Sequence, residues 1–300
     1  MESHLVTGAT GLVGMHIVLD LLNQNKKVCA TFTKNSNRSI IKHVFNHYGF
    51  SNYYDKVKWI KMDLEDVTEV YQAIKGVDFV YHSGAIVSFN KSDYEQMRRI
   101  NIEGTTNIVN ACLEHKIKKL AFISSVASIG RDGKGKYSEK NKWNSGKENS
   151  FYALTKYKAE NEVWRGMEEG LNAVITNPGI IIGPSHWGRS STTIFKQIHK
   201  GLSYFPEGKN GFIDVRDVAR ATIALMDSKI NRERFILVGE NLPYKSVFDD
   251  IALCLNKPKP YKKATKSLLE IAWRLEAIRC FITNKKQSIT KETARTASQI

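Results

Sequence analysis

The stretch Thr7-Gly8-Ala9-Thr10-Gly11-Leu12-Val13-Gly14 constrains this chain more than any other. It follows a short apolar run at 4–7 and opens a pattern of apolar residues at helical spacing over 12–24. Between a strand and a helix, each glycine answers a steric demand. Gly8 permits the tight turn, Gly11 lets backbone N–H groups approach a pyrophosphate, and Gly14 lets helix and strand pack closely. Glycine serves many turns, so the surrounding pattern has to supply the rest of the argument.

That pattern is a βαβ rhythm. Short runs rich in β-branched residues predict strands at 4–7, 27–32, 57–61, 78–82, 120–124 and 172–177. Apolar residues at helical spacing predict helices at about 12–24, 37–48, 66–75, 93–115 and 150–169. Alternation of this kind builds an α/β fold, a Rossmann-type doubly wound parallel sheet. Beyond Pro178 the rhythm weakens, and Gly183-Pro184, Gly188, Gly201, Pro206, Gly208 and Gly211 mark turns. The expected division is a dinucleotide-binding domain over 1–178 and, over 179–300, mainly a smaller substrate lobe, with the chain returning to the core near 212–240. The polar stretch 130–150 is expected to be a surface loop near the mouth of the site.

Composition narrows the class. The 300 residues suffice for a large core, and no stretch approaches the roughly 18 apolar residues of a membrane span. No basic segment followed by an apolar run opens the chain. Cys29, Cys112, Cys254 and Cys280 stand far apart, three of them in apolar segments, which fits a reducing cytoplasm. No metal-ligand spacing occurs. The net charge is +15, and residues 256–300 hold eleven Lys or Arg against three acids. Without a nucleic-acid motif, this excess reads as a solvated face on a protein that handles anionic cofactors. Residues 265–282, apolar but for Arg274, Glu270, Glu276, Arg279 and Lys266, read as a helix of the substrate lobe rather than a membrane contact.

An acidic residue about 20 positions after the glycines normally accepts the ribose hydroxyls of NAD. No Asp or Glu lies between Asp20 and Asp55, whereas the second strand ends in Phe32-Thr33-Lys34 and Arg38 follows. Lys34 and Arg38 would stabilise a ribose 2′-phosphate, so NADP(H) is favoured over NAD(H). Asp63, after the third strand, is either an adenine contact or a helix N-terminal cap.

Tyr152 and Lys156 stand four residues apart, on one helix face. The same spacing recurs at Tyr54 and Lys58 and at Tyr71 and Lys75, so spacing alone selects nothing. Position does: only Tyr152 opens a helix downstream of the fifth strand, whose C-terminal end carries Ser124-Ser125 at the edge where open α/β sheets bind ligands. Carbonyl reduction needs a hydride and a proton, and a free phenol, with a pKa near 10, exchanges protons poorly at neutral pH. Lys156, together with the charge of an oxidised nicotinamide, would lower that pKa, and Ser125 would hydrogen-bond the substrate oxygen.

With these residues in place, the sequence resembles the extended short-chain dehydrogenase/reductases, particularly their dihydroflavonol reductase-like and 3β-hydroxysteroid dehydrogenase-like branch. The resemblance runs through the glycine start, Asp63-Leu64, His82-Ser83-Gly84-Ala85, Asn101-x-x-Gly104-Thr105, Ser124-Ser125, Tyr152-x-x-x-Lys156, Pro178-Gly179 with Gly183-Pro184, and Asp214-Val215-x-Asp217-Val218. It implies Tyr152 as acid/base, Lys156 on the nicotinamide ribose, Ser125 on the substrate with Ser124 and Ser128 as alternatives, and Asn101 in support. It also implies cofactor contacts from Gly8, Thr10, Gly11, Leu12, Val13, Gly14, Thr33, Lys34, Arg38, Asp63, Leu64, Ser83, Gly84, Ala85, Lys156, Pro178, Gly179 and Ile181. A homodimer through the helices at 93–115 and 150–169 is implied by the same resemblance. Gly84 departs from a usual alanine, and Asn177 from the arginine of many sugar-nucleotide members.

The function expected is reduction of a ketone or aldehyde, or oxidation of the alcohol, in a pocket walled by 83–90, 185–189 and 204–205, with Phe89 and Trp187 facing the small-molecule substrate. A nucleotide-sugar epimerase or dehydratase retaining NAD is the alternative, and a non-catalytic dinucleotide sensor a second.

Overall fold

The computed structural model describes residues 2–130, 137–146, 149–188, 190–283, 287 and 289–297. The chain begins with β1 (Ser3–Thr7), α1 (Leu12–Asn23), β2 (Lys27–Phe32), α2 (Ser39–His47), β3 (Lys58–Lys61), α3 (Val67–Ile74) and β4 (Phe79–His82). Next come α4 (Tyr94–Met97), a π-helical turn (Arg98–Glu103), α5 (Gly104–Glu114), β5 (Lys119–Ile123), α6 (Phe151–Glu168) and β6 (Ala173–Pro178). The remainder holds β7 (Ile180–Ile182), α7 (Thr193–His199), β8 (Tyr204–Pro206), β9 (Lys209–Asp214), α8 (Val215–Asp227) and β10 (Glu233–Leu237). It closes with β11 (Glu240–Pro243), α9 (Tyr244–Cys254), β12 (Lys262–Ala264), α10 (Lys266–Thr283) and α11 (Lys291–Ala297).

Seven parallel strands form the central sheet in the order β10-β6-β5-β4-β1-β2-β3. The six strands expected from the alternation are all present, and β10 adds a seventh at the edge beside β6. The chain winds outward from β1 to β3, then crosses back to β4 and winds the other way. Loops at the C-terminal ends of β1 and β4 therefore diverge to opposite faces and leave a crevice, the switch point where such sheets bind ligands.

Period-two alternation within each strand feeds two cores. Leu5, Val80, Leu120, Phe122 and Ile175 meet α3, α5 and α6 on one face. Val6, Tyr81, Ala121, Ile123 and Val174 meet α1, α2 and α8 on the other. Burial on both faces explains why these strands read as continuous apolar runs. A third, smaller cluster joins Ile198, Phe205, Phe212, Tyr244, Phe248 and Ile251 in the C-terminal lobe. The helix expected over 93–115 is interrupted by the π turn around Asn101, a local widening that commonly marks functional positions. The four cysteines are unpaired, with Cys254 exposed and the others buried. Among the described residues no helix is long and apolar enough to cross a membrane.

Candidate active site and cofactor crevice

Gly8 adopts φ +65°, and a Cβ there would lie 2.6 Å from the Gly84 backbone. A Cβ on Gly14 would lie 2.4 Å from the Gly8 carbonyl oxygen and 2.7 Å from Ser83 Oγ. The turn is thus packed to the point where only hydrogen fits at Gly8 and Gly14, while a Cβ on Gly84 would meet Leu64 Cδ1 at 2.9 Å and the Gly8 nitrogen only at 3.6 Å. Gly11 N–H donates to the Gly8 carbonyl at 2.9 Å. The first turn of α1, where Leu12 and Val13 sit, has neither a side-chain cap nor an acid, leaving the positive end of the helix directed at the crevice. This cradle fits a pyrophosphate.

At the adenosine end, Thr33, Lys34, Lys61, Met62, Asp63 and Glu69 line an open groove of about 550 Å³. Arg38 stacks its guanidinium 4.3 Å from the Phe32 ring centroid and 5.9 Å from that of Trp59. Stacking on a ring face leaves the N–H edge available for an anion. Ser36 Oγ accepts from Thr33 N–H at 2.9 Å and is reached by Thr10 Oγ1 at 3.4 Å, joining the glycine turn to the end of β2. Of the two roles open to Asp63, the helix cap belongs to another residue: Asp66 accepts from Glu69 N–H at 3.0 Å. Asp63 accepts from Glu65 N–H and faces the groove. Leu64 is buried against Gly84 and Gly104, and its carbonyl accepts from Asn107.

Ser83 spends its hydroxyl on the Thr7 carbonyl at 2.6 Å, pinning β4 to β1, and Ala85 follows in the same loop. Beneath them His82 is fully buried, with its pKa pushed down to about 3 by burial and then by Lys156. Thr105 gives its proton to the Asn101 carbonyl at 2.6 Å, so it must accept from His82 Nε2–H at 3.1 Å. Nδ1 then accepts from the Thr7 hydroxyl at 2.6 Å. A neutral imidazole therefore links the glycine turn to the π turn.

Asn101 acts through backbone. Its Oδ1 accepts from Ile86 N–H at 2.7 Å, and Nδ2 donates to the Ile86 carbonyl at 2.9 Å and to Thr155 Oγ1 at 3.0 Å. Thr155 in turn donates to the Tyr152 carbonyl at 2.8 Å. Asn101 thus fastens the loop after β4 to the first turn of α6, as a positioning residue.

Ser150 caps α6 by accepting from Ala153 N–H at 3.0 Å, which sets Tyr152 in the first turn. Ser125 Oγ accepts from Ala127 N–H at 3.2 Å and lies near enough to the Tyr152 phenol to lower its pKa, and the Tyr152 ring meets Phe89 edge-on at 6.1 Å. Ser124 and Ser128 are buried and turned away toward Glu160. Burial pushes the Tyr152 phenol up to about 12, opposed by the Ser125 hydrogen bond. The expected lowering by Lys156 is not expressed here. Its Nζ donates to the Ile123 carbonyl at 2.8 Å, over the Phe122 ring, and burial brings its own pKa down to about 7. A phenol held this high stays protonated at neutral pH, which suits donation to a carbonyl oxygen.

Pro178 ends β6, and Gly179 N–H donates to the Leu237 carbonyl at 3.0 Å. A Cβ at Gly179 would meet the Gly211 carbonyl at 2.4 Å. The Ile181 carbonyl accepts from Ser191. Of the expected walls, Trp187 stacks on Phe195 and is 39% exposed, so it caps α7 rather than joining Tyr152. Tyr204 is likewise exposed, while Phe205 is buried in the third cluster. Arg189 lies outside the described residues, as do 131–136 and 147–148 of the expected loop. Asn90 accepts from Gln287 N–H at 3.0 Å, and Glu292 Oε1 accepts from Tyr94 and from Phe151 N–H, so the C-terminal segment folds onto the start of α6. That docking, Glu160 and Arg234 were all invisible as site features in the sequence. The one local signal for Glu160 is its place four residues beyond Lys156, on the same helix face.

A glycine cradle at the switch point, with a serine, tyrosine and lysine at the adjoining strand and helix, defines an NAD(P)-binding enzyme of the extended short-chain dehydrogenase/reductase type. The chain belongs to the NAD dependent epimerase/dehydratase family, whose profile matches residues 4–239. It is 26% identical over 258 residues to sterol demethylase protein B of Methylococcus capsulatus, covering 85% of this chain and 75% of that protein. It is 29% identical over 289 residues to a putative dihydroflavonol 4-reductase of Synechocystis, covering 92% and 80%. Among solved structures it is similar to UDP-glucose 4-epimerase of Thermus thermophilus in complex with NAD, at a TM-score of 0.71 and 25% identity over 87% of this chain and 85% of that one.

Proposed function

We propose that the protein is an NADP(H)-dependent oxidoreductase that reduces a ketone or aldehyde, or oxidises the corresponding alcohol. The observation that carries this reading is the placement of the buried Tyr152 phenol beside Ser125, just past the end of β5, with Lys156 one helical turn on along α6 and its Nζ on the Ile123 carbonyl at the end of β5. When bound, the nicotinamide supplies the hydride to the carbonyl carbon and takes it back in the reverse direction. Ser125 holds the carbonyl oxygen, and Tyr152 Oη gives it the proton. Reduction uses the protonated phenol, the form that a pKa raised to about 12 holds at neutral pH, and alcohol oxidation uses the deprotonated form, so its rate gains as pH rises. Lys156, protonated, supplies positive charge beside the developing phenolate.

Preference for the phosphorylated cofactor is supported by Lys34 in the groove and by the stacked Arg38, with no carboxylate from 21 to 54 to receive ribose hydroxyls. Glu69, in the same groove, is engaged by Asp63 N–H at 2.7 Å and by Lys61 at 3.7 Å. Charge-assisted hydrogen bonds contribute about 1.5–3 kcal/mol, so fluorescence titration is expected to show NADPH bound at least tenfold tighter than NADH. Equal affinities would remove the cofactor half of the proposal. Tyr152→Phe is expected to keep NADPH affinity and lose about 100- to 10,000-fold in kcat over a carbonyl panel followed by nicotinamide absorbance. Full turnover by that variant would contradict the mechanism.

A nucleotide-sugar epimerase or dehydratase is the second reading, supported by the likeness to UDP-glucose 4-epimerase. NAD retained through purification, with no net consumption of NADPH, would favour it.

A further inference from the structure

Glu160 is 2% exposed, yet it lies at the centre of a polar cluster directly behind the site. Its Oε2 accepts from Ser124 Oγ at 2.6 Å and from Asn177 Nδ2 at 2.9 Å, and Ser128 Oγ stands 2.7 Å away. Its Oε1 accepts from Arg234 at 2.9 Å and, at 3.4 Å, from Trp164 Nε1. Two of these partners also hold the main chain of Ser125: Asn177 Nδ2 and Ser128 Oγ reach its carbonyl at 3.1 and 2.7 Å. On the other side, Arg234 donates to the carbonyls of Glu139 and Asn141, and Glu139 Oε1 accepts from Ile236 N–H. Asn141 Nδ2 bonds the Gly130 carbonyl, and a Cβ on Gly130 would sit 1.6 Å from the Lys142 carbonyl oxygen. The turn at 138–141 and the residue after it are therefore strapped tightly across the end of the serine turn.

A buried carboxylate is costly unless several donors satisfy it, and here the donors other than Trp164 lead to parts of the site. We propose that Glu160 is a positioning residue: one carboxylate, one helical turn beyond Lys156, sets the register of the turn carrying Ser125 and through Arg234 locks segment 139–142 over that turn. The inference rests on the reductase reading for its kinetic consequences but not for its electrostatic one. The groups facing Lys156 are His82 from β4, neutral; Phe122 and the Ile123 carbonyl from β5; Tyr152 and Glu160 from α6; and Arg234 from β10 stands behind Glu160. Glu160 raises the Lys156 pKa against the dominant effect of burial, so removing its charge lowers the pH at which the ammonium deprotonates.

The test compares Glu160→Gln and Glu160→Asp in the full chain. Lys156 is titrated through its 13Cε shift, assigned by the signal missing in Lys156→Arg. The probe reaction is NADPH-driven reduction of 4-nitrobenzaldehyde. Glu160→Gln is expected to lower the Lys156 midpoint by about half a unit or more. It is also expected to cut kcat about tenfold or more, as misplacement of reacting groups does, with NADPH affinity held within about threefold. Glu160→Asp, which keeps the charge, is expected to stay nearer wild type in the titration. A folded Glu160→Gln protein with the wild-type Lys156 midpoint, or with unchanged kcat, overturns the proposal. If Glu160→Gln does not fold, Asn177→Ser removes the amide that links Glu160 Oε2 and Ser128 Oγ to the Ser125 carbonyl while leaving the Glu160 charge in place: reduced kcat supports the proposal, and unchanged kcat overturns it. Absence of turnover by the wild type counts against the reductase reading, while the titration still decides the electrostatic role.

Discussion

His82 shows how a single buried side chain couples catalysis to stability. Its ring is locked neutral between Thr7 and Thr105, and burial lowers its pKa from 6.5 to about 3. His4 and His16 are shifted in the same direction, also chiefly by burial. For each, the unfolded chain binds more protons than the folded one below pH 6.5, so stability is fully present above that pH and is lost as pH falls toward the folded value. Thermal melts followed by circular dichroism are expected to show Tm dropping steadily from pH 6.5 to 4. The drop is expected to be shallower in His82→Gln, referenced to that variant's own Tm at pH 7.5; an identical slope would remove His82 as a source of acid sensitivity. In the sequence His82 stood out only as part of a family run. Nothing local to it disclosed that its two ring nitrogens face hydroxyls 75 and 23 residues away.

Among the elements, those with strong periodicity were legible. The helix read at 150–169 forms over Phe151–Glu168, and the strand read at 27–32 forms over the same residues. The π turn was not legible, because it depends on Asn101 reaching Ile86 and Thr155, contacts that no local spacing encodes. Helix α8 illustrates a different limit. Its apolar residues recur at Val215, Val218, Ala219, Thr222, Ile223 and Met226, a clear amphipathic stripe. Only the fold decides that this stripe packs beside α1 on the face opposite α6. Ile223 is 2% exposed in that core, so Ile223→Ala is expected to cost about 2–5 kcal/mol, read as a lower urea midpoint at unchanged slope. A loss below about 0.5 kcal/mol would mean that α8 is not part of the cooperative core.

At the scale of the whole molecule, the basic C-terminal segment reaches back to the site. Glu292 of α11 accepts from Phe151 N–H and Tyr94 at the start of α6, and burial with Glu292 raises the Tyr94 phenol to about 12. On α10, Leu268, Ile271, Leu275 and Ile278 are all exposed, with Ile271, Leu275 and Ile278 more than half so. Apolar side chains that remain in water in the folded chain contribute little to folding. Leu275→Lys is therefore expected to leave the urea midpoint within about 0.5 kcal/mol of wild type, in contrast to Ile223→Ala. Such a contrast was beyond the sequence, which read 265–282 as a helix of the substrate lobe and 212–240 only as a return to the core.

The sequence by itself determined the parallel α/β fold and the glycine turn, and it singled out Ser125, Tyr152 and Lys156 as the candidate site. These rest on period, on steric demand at single positions and on residue chemistry, all of which are local. Tertiary structure alone decided that Ser124 and Ser128, unlike Ser125, turn to Glu160, that Asp66 rather than Asp63 caps α3, and that β10 completes the sheet. It alone also brought Arg234 to Glu160 across 74 residues. The physical reason is common to all four: each is settled by which distant groups share a desolvated space, and a donor or carboxylate in the sequence carries no mark of its partner until the chain has folded around it.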